Sequence, residues 1–324
     1  MVRHRSAKPT LSGSNPDAAS INILRFAPSP SKAGAGFSHF PMINESWISI
    51  VLGACVDAGR AILKVYDSDF DVTHKADDSP LTLADQKAHR IIADRLRKTG
   101  VPVLSEEGRD IPFAERSRWE QMWLVDPLDG TKEFVKRNGE FTVNIALVEG
   151  GRPVFGAIFV PVRQVLYVGG QGAGSFRLDD PGAVAAAGTG ALKQWRDLAD
   201  CGKTLPLHTG PASPLTVVGS RSHLTPEVEA FVEKLKSSYG EVIFVSAGSS
   251  LKLCLVAEGR AHLYPRLGPT MEWDIAAGHA VAENAGARVY CHDTGDPMTY
   301  NKENLLNPWF IVEGAGFPSG EKGK

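Results

Sequence analysis

The chain has 324 residues, enough for one large domain or two closely joined ones, and its 43% apolar and 22% charged residues are typical of a globular protein. The formal net charge of −2 excludes the broad basic field on which nucleic-acid-binding proteins depend. Because no window contains 18 continuous apolar residues, the sequence predicts no integral membrane segment.

Residues 1–41 differ in composition from the rest of the chain. They are rich in Ser, Pro and Gly, and no continuous apolar stretch of a secretory signal follows their basic start. We expect a disordered tail or an extension upstream of a start at Met42, with a transit peptide as a third interpretation. The four cysteines form no CxxC pair and no zinc spacing, which predicts reduced thiols in a cytoplasmic protein. Peripheral attachment to the cytoplasmic face of the inner membrane stays open.

The first half of the chain predicts two helices followed by a series of strands. Apolar residues at helical spacing predict a helix from Met42 to about Tyr66, and Thr82 opens a second helix. Short apolar runs between Gly and Pro turns predict strands at 101–104, 122–125, 141–148, 154–160 and 165–168. Strands that follow one another directly favour an antiparallel-rich sheet.

Two segments after these strands are interpreted as structural. The glycines of GGQGAG (169–174) predict a hairpin turn, because the GxGxxG register of a dinucleotide loop is absent and no helix pattern follows. Residues 179–213 are rich in Ala, Gly and Pro and have no clear period, so we expect an exposed insertion.

The second half predicts strands that alternate with helices. Thr225 followed by Pro226 is a helix start, with a capping side chain and a proline at the first helical position. Further elements are predicted as strands at 216–219, 242–245, 262–264 and 288–290 and helices at 249–258 and 274–285. The alternation predicts a layered α/β fold. We expect four parts, a tail at 1–41, a metal-binding subdomain at 42–213, a substrate-binding subdomain at 214–312 and a tail at 313–324.

The segment DPLDGT (126–131) carries the main chemical signal. Asp126 and Asp129 follow a predicted buried strand directly, and Mg²⁺ takes oxygen ligands of this kind. The carbonyl of Leu128 is a further candidate ligand, and a helical turn that begins at Gly130 would point free N–H groups at a phosphate. An Asx turn is the structural alternative, but it accounts for only one of the two aspartates.

Three other acids stand at the ends of predicted elements. Asp85 lies three residues after Thr82, where a capping box is the alternative, and Asp274 begins a helix, where an N-cap is the alternative. Glu106 follows a strand, where an exposed loop glutamate is the alternative. Element ends are the places where a fold brings distant segments into one cleft.

Four segments resemble, in the same order, the signatures of the inositol-monophosphatase-like superfamily. They are LTLADQ (81–86), LSEE (104–107), DPLDGTKEF (126–134) and WDIAAGHAVAENAG (273–286). The resemblance extends from about residue 43 to residue 312, apart from 179–213. It implies the layered αβαβα sandwich shared with fructose bisphosphatases, and a phosphatase that depends on two or three Mg²⁺ ions and is inhibited by Li⁺.

The resemblance also implies roles for the acids. The metal ligands are expected to be Glu106, Asp126, the Leu128 carbonyl, Asp129 and Asp274, and Asp85 is expected to bind a further ion or its water shell. Thr131, supported by Asp85 or Glu106, is expected to orient and deprotonate the attacking water. The residues expected to contact substrate are Glu106, Asp129, Gly130, Thr131, His223, Ser249, Lys252, Arg266 and Asp274.

Other residues resemble the 3′(2′),5′-bisphosphate nucleotidase branch of this superfamily. Lys132-Glu133 stands where the inositol monophosphatases have TN, and Leu267 stands where those enzymes place a glutamate that holds sugar hydroxyls. The adjacent Arg266 suits a second phosphate, because its planar donors match phosphate oxygens.

The resemblance also implies the roles of the remaining substrate residues. Ser249 and Lys252 are expected in the first turn of a helix, where they converge on the 5′-phosphate, although Lys252 as a solvated helix residue is a serious alternative. His223 is expected near the base or ribose, with a simple loop position as its alternative.

The sequence therefore predicts hydrolysis of adenosine 3′,5′-bisphosphate to AMP and phosphate, in sulfate assimilation, with the corresponding phosphosulfate as a second possible substrate. Hydrolysis of inositol 1-phosphate is the alternative within the superfamily, and an inactive metal- or nucleotide-binding regulatory protein is the alternative from another class. The expected partner is a small nucleotide bisphosphate and not a nucleic acid. Whether the protein is a monomer or a homodimer is left open.

Overall fold

The structure, a computed structural model, describes residues 43–68, 80–210, 212–221 and 225–318. The expected tail at 1–41 and the candidate residue His223 lie outside these ranges. The division into subdomains at 42–213 and 214–312 stays a prediction. Within the described ranges, no helix is both long enough and apolar enough to cross a membrane.

Two helices that pack against each other open the described chain, α1 (Ser46–Tyr66) and α2 (Pro80–Leu96). Of the seven apolar residues that predict α1, five are fully buried, namely Ile48, Val51, Leu52, Cys55 and Ile62. Val65 is 5% exposed, and Trp47 is partly buried. The start of α2 was predicted two residues too late. Because Thr82 lies inside the helix, it does not form the N-terminal capping box that was the alternative role for Asp85.

The first sheet contains seven strands in chain order, β1 (Val103–Ser105), β2 (Gln121–Asp129), β3 (Thr142–Glu149), β4 (Arg152–Val160), β5 (Val165–Gly170), β6 (Gly174–Leu178) and β7 (Lys203–Thr204). β1 and β2 are parallel and all other neighbours are antiparallel, which confirms the antiparallel-rich sheet. Gly170 pairs with Gly174, so the glycine-rich segment forms the predicted hairpin.

The second sheet contains five strands, β8 (Leu215–Ser220), β9 (Val242–Ala247), β10 (Leu263–Arg266), β11 (Arg288–Cys291) and β12 (Phe310–Glu313), in the order β11-β12-β10-β8-β9. β9, β8 and β10 are parallel, and β12 is antiparallel to both of its neighbours. The other helices are α3 (Phe113–Arg116), α4 (Thr131–Val135), α5 (Pro181–Thr189), α6 (Trp195–Cys201), α7 (Pro226–Tyr239), α8 (Leu251–Ala257) and α9 (Glu272–Asn284). The hydroxyl of Thr225 accepts the N–H of Val228, which confirms the predicted start of α7.

Helices and sheets alternate as layers. Successive residues of β2 point to opposite faces, so Trp123 packs on the side of α1 and α2 while Leu124 packs on the side of α8 and α9. The other side of the α8–α9 layer contacts the five-stranded sheet through Tyr264 and Phe310. Val217 faces the opposite side of that sheet, against α7. This arrangement is the predicted αβαβα sandwich.

The interpretation of 179–213 as an exposed insertion is wrong. The segment contains α5, α6 and β7, α5 packs against α1, and Trp195 lies over Gly170. The sequence of α5 shows no hydrophobic period, because alanine occupies both its buried face, at Ala183 and Ala187, and its exposed face, at Ala185. Asp180, whose side chain accepts the N–H of Ala183, is the helix-start signal that composition concealed.

Close contact between β4 and α9 leads to the first prediction. An added Cβ at Gly156 would lie 2.2 Å from the carbonyl oxygen of Ala277 in α9. We expect Gly156→Ala to lower the free energy of unfolding by about 3 kcal/mol, because backbone atoms must move to admit the methyl group. Denaturant unfolding measures the change. Gly210→Ala is the control, since nothing lies within 4 Å of its added Cβ; equal effects of the two substitutions would contradict the prediction.

Candidate functional site

A β-bulge places the two aspartates of β2 on one face. Asp126 pairs with Asn144 and Asp129 pairs with Thr142, so three steps along β2 match two steps along β3. In a regular strand, residues three apart point to opposite faces. The extra residue in the bulge turns both carboxylates to the same side.

Neighbouring elements bring further acids to Asp126. Ser105 pairs with Val125 in the parallel strands β1 and β2, and the N–H of Glu106 donates to the Val125 carbonyl at 3.1 Å. Asp274 is the third residue of α9, and its Oδ2 accepts the N–H of Met271 at 2.8 Å. The N-cap role considered for Asp274 is wrong, because Met271 is the N-cap of α9 and the helix begins two residues before Asp274. Asp274 caps the Met271 N–H from inside the first turn, and its carboxylate still lies with the other acids.

Three carboxylates meet at this point. Single oxygens of Glu106, Asp126 and Asp274 lie within 4.8 Å of one another. Asp126 is almost fully buried, while Glu106 is on the surface side of the cluster. The N–H of Leu128 donates to Asp126 Oδ1 at 3.0 Å, and the predicted role of the Leu128 carbonyl as a ligand stays a prediction.

The pKa values of the acids rise because the groups are buried and repel one another. Burial, and then the charges of Asp129 and Glu106, raises the pKa of Asp126 well above its ordinary value. The same causes, burial first, raise the pKa of Asp274 to about 7. Burial and the adjacent glutamates raise the pKa of Asp85 to about 8. A divalent cation would remove the cost of ionising these groups together.

The donor chemistry fits Mg²⁺. The cluster offers carboxylate oxygens and no sulfur or nitrogen ligand, which is the set that hard divalent cations prefer. Asp85 is buried in α2, and its Oδ1 has no hydrogen-bond partner among the described residues, which a cation or its water shell would supply. Asp85 and Asp129 are not members of the three-acid cluster, but the charges of both raise the pKa of Asp126, so both lie within electrostatic range of it.

Asp129 connects the acids to a cleft. Its Oδ2 lies 3.0 Å from the hydroxyl of Ser250 and 3.3 Å from the amide nitrogen of Asn144. Burial raises the pKa of Asp129, and the charge of Lys252 and these two donors oppose the rise. The cleft opens to solvent, and the predicted residues in its lining are Asp129, Gly130, Thr131, Ser249, Lys252, Arg266 and Asp274. Glu106 and Asp126 are not among its lining residues, and Asp274 belongs to both the cluster and the lining.

The start of α4 forms one wall of this cleft. Thr131 is the first residue of α4 and is exposed there, and Gly130 before it has φ +95°. A Cβ on Gly130 would lie 3.2 Å from the Cβ of Ser249 and 3.1 Å from the Glu140 carbonyl oxygen. Glycine is therefore needed both for the turn and for the close approach of the two walls.

The cationic wall of the cleft, formed by Ser249, Lys252 and Arg266, differs in part from the prediction. α8 begins at Leu251, so Ser249 precedes the helix and has φ +41° instead of lying in its first turn. Ser249 Oγ is buried without a hydrogen-bond partner in the described part of the chain. Lys252 is 6% exposed, which excludes a solvated helix position, and its Nζ donates to the Ser249 carbonyl at 2.5 Å. Burial lowers the pKa of Lys252 to about 8, although the charge of Asp129 opposes this.

Arg266 lies at the end of β10 on the same cleft. Its Nη2 donates to the Pro269 carbonyl at 2.7 Å, and its Nε has no hydrogen-bond partner in the described ranges. The sequence interpretation did not include Asn144 or Ser250, which contact Asp129 directly. The signal for Asn144 was present, since it is the one amide in the apolar strand TVNIALV.

Comparison with known proteins gives a consistent assignment. The profile of the Inositol monophosphatase family matches residues 43–312. The chain is 48% identical over 263 residues to the 3′(2′),5′-bisphosphate nucleotidase CysQ of Escherichia coli K12, a match that covers 79% of this chain and 95% of that protein.

Solved structures agree. The crystal structure of CysQ from Bacteroides thetaiotaomicron has a TM-score of 0.76 at 46% identity, with 84% of this chain and 98% of that chain covered. An inositol monophosphatase from Zymomonas mobilis has a TM-score of 0.63 at 20% identity, covering 84% of this chain and 92% of that one. The second match concerns the fold alone.

Proposed function

The chain belongs to the inositol monophosphatase family, and from this membership we propose that it is a Mg²⁺-dependent 3′(2′),5′-bisphosphate nucleotidase that hydrolyses adenosine 3′,5′-bisphosphate to AMP and phosphate. The observation that carries the proposal is that Asp274 belongs both to the acid cluster with Glu106 and Asp126 and to the lining of a cleft. That cleft is also lined by the cations Lys252 and Arg266. The similarity to the CysQ proteins supports the same choice of substrate.

The acids would hold the reacting phosphate end of the substrate. Two or three Mg²⁺ ions on Glu106, Asp126, the Leu128 carbonyl, Asp129 and Asp274, with Asp85 near a further ion, would supply the positive charge that phosphoryl transfer requires. The Thr131 hydroxyl, at the exposed start of α4, would orient the attacking water. Asp85 or Glu106 would take the proton of that water.

The cationic wall would hold the second phosphate. Lys252 and Arg266 supply positive charge, and Ser249 Oγ and Arg266 Nε are donors that have no partner in the described residues. A 5′-phosphate would satisfy these donors and leave the 3′-phosphate at the acids. Leu267, which stands where the inositol enzymes place a glutamate, is 5% exposed and offers no group to a sugar hydroxyl.

The function is tested by phosphate release from adenosine 3′,5′-bisphosphate. We expect one phosphate and one AMP per substrate in Mg²⁺, and no release in EDTA, because the acids need a cation to hold the phosphoryl group. Inositol 1-phosphate is measured in parallel. Faster turnover of the inositol substrate would replace our choice with an inositol phosphatase, and no turnover of either would favour a regulatory binding protein.

A variant of the cationic wall separates the two phosphates. We expect Arg266→Ala to lower kcat/KM for adenosine 3′,5′-bisphosphate about 10- to 100-fold, because a hydrogen bond to a charged group contributes about 1.5–3 kcal/mol. The effect on 3′-AMP, which lacks the 5′-phosphate, should be small. Arg196→Ala is the control, since Arg196 is 83% exposed in α6. Equal losses for both nucleotides would contradict the assignment of Arg266 to the 5′-phosphate.

A further inference from the structure

Ser250 lies where the acids, β3 and α9 meet. It is 1% exposed and immediately precedes α8. Its Oγ accepts from Asn144 Nδ2 at 2.9 Å, and it lies 3.0 Å from Asp129 Oδ2 and 2.8 Å from the carbonyl oxygen of Asp274. A hydroxyl has one proton and two lone pairs, so the single proton is shared between two acceptors. One side chain thus contacts one expected metal ligand and the backbone of another.

Asn144 holds the same oxygen from the sheet. It is 1% exposed in β3, pairs with Asp126 in the strand register, and its Nδ2 also lies 3.3 Å from Asp129 Oδ2. β3 lies between β2 and β4, so its backbone is fixed by ladders on both sides. Asn144 therefore gives Ser250 and Asp129 a common, rigid reference point.

The loop that contains Ser250 also carries part of the cationic wall. Ser249 precedes it, and the Nζ of Lys252 is bonded to the Ser249 carbonyl. The N–H of Gly248 donates to Glu140 Oε2 at 2.9 Å, and a Cβ on Gly248 would lie 2.6 Å from the Cγ of Glu133. Because the loop is packed this closely, a shift at Ser250 would move the residues expected to bind the second phosphate.

We propose that Ser250 and Asn144 are positioning residues that hold Asp129 and the start of α9 in the arrangement that binds metal. The inference rests on the proposed metal dependence, but it assigns the orientation of Asp129 to two residues that are not metal ligands. Partners of this kind typically change metal affinity 10- to 100-fold when they are removed. Without the hydroxyl, Asp129 and Asn144 lose a shared contact, and α8 loses its link to Asp274.

The experiment measures Mg²⁺ binding to the full chain by calorimetric titration, without substrate. We expect Ser250→Ala to raise the dissociation constant for Mg²⁺ at least about 10-fold. Ser250→Thr, which keeps the hydroxyl, should restore the wild-type affinity. Ser175→Ala is the matched control. Ser175 is fully buried, and its hydroxyl donates at 2.7 Å to the carbonyl of Val281 in α9, away from the acids. The control should lose stability without losing Mg²⁺ affinity.

A second variant tests the pair as a unit. If Ser250 and Asn144 act together, Asn144→Ala should also weaken Mg²⁺ binding, and the double variant should lose less than the product of the two single effects. Asn144→Ala gives the answer on its own if Ser250→Ala does not fold. In the same preparations, the Mg²⁺ concentration that gives half-maximal activity should rise by a larger factor than kcat falls.

Three results would overturn the inference: unchanged Mg²⁺ affinity in Ser250→Ala, an equal loss in Ser175→Ala, or no restoration by Ser250→Thr. Failure of the proposed function is recognised separately. If the wild-type chain binds Mg²⁺ but does not release phosphate from adenosine 3′,5′-bisphosphate, the substrate assignment fails while a loss of affinity in Ser250→Ala still supports the positioning role.

Discussion

Replacing Asp126 by asparagine is expected to reduce turnover by about 1,000-fold or more. Losing an expected metal ligand should cost more than the 10- to 100-fold effect of losing a residue that only hydrogen-bonds to a ligand. The fold should persist. Asparagine has nearly the same shape, and its side-chain oxygen can still accept the N–H of Leu128, which Asp126 Oδ1 accepts at 3.0 Å. Phosphate release in Mg²⁺ and thermal unfolding in EDTA measure the two effects.

The same substitution should stabilise the metal-free protein. The charges of Asp129, Glu106, Asp274 and Asp85 all raise the pKa of Asp126, so ionising it costs free energy while no cation is bound. A neutral amide removes that repulsion, and we expect a melting temperature in EDTA equal to or above that of the wild type. Activity would then fall while stability does not, which distinguishes a functional acid from a structural one.

An exposed aspartate provides the control for Asp126→Asn. The carboxylate of Asp94 is 66% exposed in α2 and pairs with Arg97 on the surface. Asp94→Asn makes the same chemical change outside the cluster, and it should alter neither turnover nor melting temperature appreciably. Full activity in Asp126→Asn would remove the metal hypothesis, and equal losses in the two variants would show that the effect is not specific to the cluster.

The acids could be predicted from the sequence, but their common orientation could not. Asp126 and Asp129 are three residues apart in β2, a spacing that places them on opposite faces of a regular strand. Only the bulge, visible as an unequal count of residues along β2 and β3, turns them to one side. Pro127 indicated an irregular backbone between them, yet a proline does not reveal which residue a partner strand will oppose.

Other differences have physical causes of the same kind. The start of α8 was misplaced because Ser249 has a left-handed backbone, which local patterns rarely predict for serine. The sequence did not predict β12, because this strand is only four residues long and is stabilised by pairing with β10 and β11. The role of Ser250 depends on its contacts with Asn144 and Asp129, which lie more than 100 residues earlier in the chain. Local sequence predicts which side chains carry chemistry, whereas long-range contacts decide how they are oriented.

The stability of the metal-free protein is expected to fall as pH rises from 6.5 to 8. The pKa of Asp274 is raised to about 7 and that of Asp85 to about 8, with burial as the first cause in each. In the unfolded chain both carboxyls lose their protons near pH 4. Between about pH 4 and the pKa values of the folded state, the folded protein binds more protons than the unfolded chain, so raising the pH favours unfolding.

Other titrating groups define the window. Burial lowers the pKa values of His89 and His262, so these residues add stability as pH rises through about 6.5, in the opposite direction. Lys252, with a pKa lowered to about 8, acts in the same opposing direction above that pH. The interval from pH 6.5 to 8 is therefore where the effect of the acids is least obscured.

Mg²⁺ should remove most of this loss of stability with pH, because it binds the ionised carboxylates of the folded state. In EDTA we expect the melting temperature to fall by roughly 3–5 °C between pH 6.5 and pH 8, given about 1.4 kcal/mol per pKa unit and about 1.5–2 °C per kcal/mol for a chain of this size. With saturating Mg²⁺ at matched ionic strength, the fall should be largely removed, and the stabilisation by Mg²⁺ should grow with pH as protons cease to compete. Thermal unfolding at the two pH values, with and without Mg²⁺, measures both effects.

A melting temperature in EDTA that rises over this interval would mean that the carboxylates ionise without mutual cost, and the cluster would then have no electrostatic reason to bind a cation.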